Sequence, residues 1–182
     1  MTKKMIIALL VGLVLAGFST PASAEGWDFE LFAGYFLPEE LDEDLTYGVR
    51  FGNRGAGNWG WEVAGSWFDV ADSQGFSGAD VDADLLHVDF SLNYYPGAGQ
   101  FYFFGGPGWV TGEIDSPFST QDFSDDAFTL HAGLGWEANV NENFYIPIDA
   151  RARWYELEGF GPDGGKDSQL TYEATIGLGW RF

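Results

Sequence analysis

Tyr172-Glu173-Ala174-Thr175-Ile176-Gly177-Leu178-Gly179-Trp180-Arg181-Phe182 alternates without a break. Successive side chains of a strand point to opposite sides, so Tyr172, Ala174, Ile176, Leu178, Trp180 and Phe182 share one face. Glu173, Thr175, Gly177, Gly179 and Arg181 share the other. A strand of a membrane barrel needs this division over about ten residues, apolar toward hydrocarbon and small or polar toward the interior. A soluble protein seldom ends on so apolar a face.

Of seven earlier segments, six repeat the period. Trp27 to Leu37 sets Trp27, Phe29, Leu31, Ala33 and Tyr35 against Asp28, Glu30, Phe32, Gly34 and Phe36. Thr46 to Gly52 sets Tyr47, Val49 and Phe51 against Gly48 and Arg50, and a Gly-Asn-rich turn from Asn53 to Asn58 leads to Trp59, Trp61, Val63, Gly65 and Trp67. Leu86, Val88, Phe90, Leu92 and Tyr94 oppose His87, Asp89, Ser91 and Asn93. Phe128 to Val140 and Phe144 to Tyr155 follow the same rule, with His131 and Glu137 on the polar face of the first and Asp149, Arg151 and Arg153 on that of the second. The fifth segment, Phe101 to Thr111, has four consecutive aromatics and a Gly-Gly-Pro-Gly interruption, and its faces do not separate.

The fold class expected is therefore all-β, an eight-stranded antiparallel up-and-down transmembrane β-barrel. The connections alternate long and short, which gathers four long loops at one end and three tight turns beside both termini, the asymmetry of an outer-membrane barrel. No helical period of comparable length competes.

The amino terminus reads as a leader. Lys3 and Lys4 precede an uncharged apolar run from Met5 to Gly17 and the small-residue site Ala22-Ser23-Ala24, the pattern of a cleaved secretory signal peptide. The run is too short for the roughly 20 apolar residues of a spanning helix. Residues 1–24 are thus expected to be the signal peptide and residues 25–182 the barrel domain. The chain has no cysteine, which excludes disulfides, thiol catalysis and a cysteine-borne lipid anchor.

Alternation by itself fits a secreted soluble barrel too, whose apolar face points inward. The polar face decides between them. It is crowded with glycine (Gly34, Gly48, Gly60, Gly133, Gly135, Gly177, Gly179), which weakens a solvated strand but makes room in a narrow lumen. Lys166 is the only lysine after the leader, whereas strands facing water would carry many. Aromatics also gather toward the strand ends of the apolar face, including Trp27, Trp59, Phe144 and Trp180 near the turns and Tyr47, Trp67, Trp154 and Tyr172 near the loops, as two headgroup-level girdles require.

With its leader, eight amphipathic strands and terminal Trp180-Arg181-Phe182, the chain resembles the small outer-membrane β-barrel proteins of the OmpA membrane-domain and OmpX kind. The resemblance implies export to the periplasm and insertion into the outer membrane, with Trp180 and Phe182 as the signal read by the barrel-assembly machinery. Outer-membrane lipid and lipopolysaccharide are the implied partners, and a monomer is expected.

An interior charge network is expected from Asp28, Glu30, Arg50, Glu62, Asp149, Arg151, Arg153, Glu173 and Arg181, since isolated buried charges cost several kcal/mol and must pair. Pairing Phe51 with Trp59 would set Gly48 opposite Glu62, and pairing Val140 with Phe144 would set His131 opposite Arg153. Arg181 and Asp28 meet if the first and last strands close the barrel. Such a lumen is either a plug of salt bridges, the reading preferred for so narrow a barrel, or a channel for small solutes.

The chain carries 28 acidic against 8 basic residues, a formal net charge of −20, and most of the acids lie in the long loops and their margins. An acidic rim repels nucleic acid and attracts cations or basic partners. Divalent cations could bridge its carboxylates to lipopolysaccharide phosphates. Asp80, Asp82 and Asp84 are candidate metal ligands, but Leu85 stands where a calcium loop needs glycine, so an EF-hand is excluded. No cofactor is expected beyond such weakly held cations.

Catalysis finds little support. His87 and His131 are the only histidines, no serine neighbours either in the expected pairing, and there is no G-x-S-x-G elbow. Gly55 to Gly60 spells G-x-G-x-x-G but sits between two strands with no helix after it, which excludes a dinucleotide role. The function expected is that of a non-enzymatic barrel displaying acidic loops for envelope integrity or surface interaction, with a channel as alternative and a lipid-modifying enzyme behind both.

Overall fold

The computed structural model describes residues 26–37, 44–55, 57–72, 81–97, 100–115, 123–158 and 166–182. Eight antiparallel strands form one closed barrel in chain order: β1 (Trp27–Leu37), β2 (Asp44–Arg54), β3 (Trp59–Asp72), β4 (Val81–Tyr94), β5 (Phe101–Asp115), β6 (Phe123–Asn139), β7 (Phe144–Glu158) and β8 (Lys166–Arg181). The seam is shut by β1 against β8, where Phe29 pairs with Trp180 and Leu37 with Tyr172. Phe182 N donates to Trp27 O at 3.0 Å, so the last residue extends the closing ladder. Closure leaves no free sheet edge, which a membrane demands because hydrocarbon offers no partner to backbone amides.

The side-chain period carries over into burial. On β8, Thr171, Glu173, Thr175 and Gly179 are buried while Tyr172, Ala174, Ile176, Leu178 and Trp180 are exposed on the outside, Leu178 by 69 %. Phe144 stacks on Trp180 with ring centroids 5.5 Å apart, and Trp59 lies against Tyr94 at 4.9 Å, placing paired rings at the turn-side girdle. Tyr47 and Trp67 stack at 6.2 Å at the loop-side girdle. No helix among the described residues is long and apolar enough to cross a membrane.

The strands are longer than the alternation indicated. β6 runs to 17 residues and β8 to 16, against the roughly 9–11 that a tilted strand needs to cross hydrocarbon. At the turn end the chain reverses tightly, so the surplus projects on the loop side. Much of what reads as acidic loop is therefore strand: the β3–β4 ladder continues to Asp72 opposite Val81, and β5–β6 to Ile114 opposite Phe123. Polar and acidic residues break the apolar code there because the backbone has left the lipid.

One register differs from expectation. Phe51 pairs with Val63 rather than Trp59, and Glu62 sits opposite Gly52 rather than Gly48. β2 continues to Arg54, whose amide donates to Gly26 O at 2.8 Å just before β1, and the chain turns only beyond it, with Gly57 at φ +110°. β5 also resolves. Tyr102, Phe104 and Val110 are buried inside, and Phe101, Phe103 and Trp109 face outward.

Candidate functional site: the charged lumen

The inward residues of β7 form a ladder from the turn end to the loop end: Tyr145, Pro147, Asp149, Arg151 and Arg153, all buried. In the middle of the lumen Arg50 of β2 reaches across to it. Its Nη1 donates to Glu30 Oε1 at 2.6 Å and also bonds Asp149, and its Nη2 donates to Thr175 Oγ1 at 3.0 Å. The Tyr102 hydroxyl donates to the other oxygen of Asp149. One guanidinium thus ties β1, β2, β7 and β8 together.

Toward the loops Asp89 of β4 is the hub. Its Oδ2 accepts from Arg151 Nη1 at 2.6 Å and Arg153 Nη2 at 2.5 Å, and Arg153 Nη1 lies 3.5 Å from Glu173 Oε2. Toward the turns Arg181 Nε donates to Asp28 Oδ1 at 2.8 Å and its Nη2 to Glu137 Oε2 at 3.0 Å. Glu137 also accepts from Arg54 Nη1 at 3.1 Å and from the Tyr95 hydroxyl at 3.2 Å. Glu62 accepts from Asn93 Nδ2 at 3.3 Å and lies 3.8 Å from Arg151 Nη2.

All nine residues expected in the interior network are inside and joined to it. Arg54, Asp89 and Glu137 complete the network, and Arg54 escapes a sequence reading because it looks like turn. Trp180 faces outward on the girdle, and Phe182 packs near it with ring centroids 6.4 Å apart. His131 stands opposite Arg153 and Gly133 opposite Arg151, as expected.

The carboxylates and guanidiniums fill the middle of the lumen. Asp89, Arg153 and His87 are each 1 % exposed, and Thr129 not at all, so side chains pack the lumen at that level. At the turn-side mouth a small cavity of about 20 Å³ remains, lined in part by Asp28, Glu62, Asn93, Glu137 and Tyr145.

A serine does stand beside a histidine, contrary to expectation. Ser91 Oγ lies 2.8 Å from His131 Nε2, and His131 Nδ1 lies 3.5 Å from Asp89 Oδ1. These residues are on different strands, β4 and β6, separated by β5, so only the curvature of the barrel brings them together. The composition is that of an acyl-transfer triad. The setting differs: Ser91 is wholly buried within the plug, and Asp89 is engaged by two arginines.

Of the candidate metal ligands, Asp80 lies outside the described residues. Asp82 and Asp84 stand on β4 rather than in a loop, Asp84 directly opposite Asp69 of β3 and Glu113 of β5, and Asp82 opposite Asp115. Among the described residues no group of three or more acidic or histidine side chains is arranged to hold a metal ion.

A family model described as outer membrane protein beta-barrel domain matches residues 7–182. No curated protein matches the chain. Among solved structures, Neisserial surface protein A superposes with a TM-score of 0.58 at 12 % identity, covering 87 % of this chain and 98 % of that one. Ail of Yersinia pestis, solved in complex with the heparin analogue sucrose octasulfate, gives 0.56 at 17 % identity, covering 87 % and 99 %. OprG of Pseudomonas aeruginosa gives 0.53 at 19 % identity, covering 87 % and 97 %. Each shares the eight-stranded fold.

Proposed function

Because the chain belongs to the outer membrane protein beta-barrel domain family, and its lumen is filled with paired charges, we propose that it acts as a closed, non-enzymatic barrel whose work is done by its acidic loop-side rim. The observation that carries this reading is the contrast between the two ends of each strand. Inside the membrane every named charge has a partner within the barrel; beyond the loop-side girdle the ladder sets acid against acid, as at Asp69, Asp84 and Glu113.

Like charges directly opposite one another destabilise a sheet. Divalent cations relieve that repulsion, since Ca²⁺ and Mg²⁺ prefer carboxylate oxygens. Lipopolysaccharide phosphates at the same level supply the second half of a cation bridge. The rim therefore serves envelope integrity, or contact with a basic surface, and the protein works as a monomer. The barrel of Ail was solved with a sulfated polyanion; a rim of carboxylates selects the opposite charge. Residues 1–24 are the export signal, and the assembly machinery reads Trp180 and Phe182.

The test is binding to the folded protein in lipid vesicles. Polylysine binds and is released by added salt, sucrose octasulfate does not bind, and replacing Asp69, Asp84 and Glu113 with asparagine weakens polylysine binding several-fold. Polyanion binding with polylysine ignored would remove the rim reading. A stable conductance in planar bilayers would favour the channel instead, and an envelope lipid profile changed by His131→Ala would favour the enzyme.

A further inference from the structure

Four lumen arginines sit on aromatic rings: Arg54 lies 3.9 Å from the Tyr95 centroid beside the turns, and for the other three the ring is the directly paired neighbour of a glycine. Phe32 of β1 pairs with Gly48 of β2, and the Arg50 guanidinium carbon lies 4.1 Å from its centroid. Phe104 of β5 pairs with Gly133 of β6, which pairs in turn with Arg151 of β7, whose guanidinium carbon is 5.0 Å from the Phe104 ring. Tyr145 of β7 pairs with Gly179 of β8, and Arg181 stands 4.7 Å from that ring.

The glycines are a condition of this geometry rather than general filler. A Cβ at Gly48 would come within 2.5 Å of Phe32, at Gly133 within 2.4 Å of Phe104 and at Gly179 within 2.1 Å of Tyr145. A ring can therefore lie flat against the wall only where the wall has no side chain. Lying flat, it presents its face to the lumen, and a guanidinium over an aromatic face is held most strongly where water is excluded. A fourth pair, Tyr102 opposite Gly135, carries a carboxylate instead, since the Tyr102 hydroxyl donates to Asp149.

We propose that these glycine-seated rings are the positioning elements of the plug: they fix Arg181 at the turn mouth, Arg50 at mid-lumen and Arg151 toward the loops, and thereby keep the barrel shut to ions. Ion pairs alone leave long arginine side chains free to swing about their carboxylates. The ring beneath each guanidinium removes that freedom. The inference rests on the closed-lumen reading and adds what enforces it.

The test is planar-bilayer recording of the full folded protein, with heat-modifiable gel migration as proof of folding. Phe32→Leu combined with Phe104→Leu keeps every ion pair and much of the bulk but removes two aromatic faces. The expected result is discrete ion-conducting openings whose total open time exceeds the parent's at least tenfold. Gly179→Ala gives a separate arm, because the three atoms nearest the new Cβ all belong to the Tyr145 ring; openings at least fivefold more frequent than the parent's are expected. If every variant that folds stays as closed as a closed parent, the proposal is overturned. A parent that itself conducts steadily sinks the closed-lumen reading, a result visible before any variant is made.

Discussion

Arg181 of β8 lies directly opposite Asp28 of β1, with Nε donating to Oδ1 at 2.8 Å across 153 residues of chain. The pair fastens the only junction that no hairpin supplies. Its second contact, to Glu137, ties the seam to β6, two strands from β8 around the barrel. Arg181→Gln is expected to lower the unfolding free energy by about 1.5–3 kcal/mol, the worth of lost hydrogen bonds to charged partners. Urea unfolding in lipid vesicles measures it, and a change under half of that range would show that the backbone ladder closes the seam unaided.

Asp89 gathers Arg151 and Arg153 on one oxygen, so its removal leaves two guanidiniums short of a counter-charge in a solvent-free site. Asp89→Asn should cost about 3–5 kcal/mol. Ser91→Ala, which removes a neutral hydrogen bond to His131, should cost only about 0.5–1.5 kcal/mol. Comparable losses for the two would contradict the assignment of Asp89 as the hub.

Gly34 tests the seam from the backbone side. A Cβ there would lie 2.0 Å from the carbonyl oxygen of Ala174 on β8, and a carbonyl in a ladder cannot rotate away. Gly34→Ala should therefore abolish the heat-resistant folded band on gels, or reduce it to a small fraction of the parent's. A normal band would show that β1 and β8 can separate locally at no great loss.

Ile176 is at the middle of the outer face of β8, between Ala33 and Ile148 on the neighbouring strands. Ile176→Arg places a charge at the bilayer midplane and should destabilise the barrel by about 2–4 kcal/mol, whereas Val140→Arg at the turn-side edge should cost about 0–1 kcal/mol. Equal effects would mean that Ile176 does not face hydrocarbon at mid-depth.

Sequence and structure part company at identifiable places. In β5 the run Phe101 to Phe104 offers no polar contrast, so alternation has nothing to report; the faces are set by pairing, with Tyr102 and Phe104 turned inward against Gly135 and Gly133. In the β2–β3 hairpin the glycine and asparagine residues permit several points of reversal, and the contact of Arg54 with Gly26 selects one that moves the register by four residues from the expected pairing. The β6–β7 hairpin is readable because Asn141-Glu142-Asn143 leaves one tight reversal, and His131 meets Arg153 as the count requires.

Strand number, the inward and outward faces of every strand but β5 and the end of the barrel that bears the loops follow from the sequence by itself, because the two-residue period is a local property of the extended chain and hydrocarbon enforces it. Which interior groups meet is decided only by the tertiary structure. Arg50 bonds Asp149 over 99 residues and Ser91 bonds His131 over 40, across a lumen whose stagger and curvature no single strand encodes. A face is a matter of one strand's pleat, whereas a partner across the barrel depends on the accumulated register of all eight.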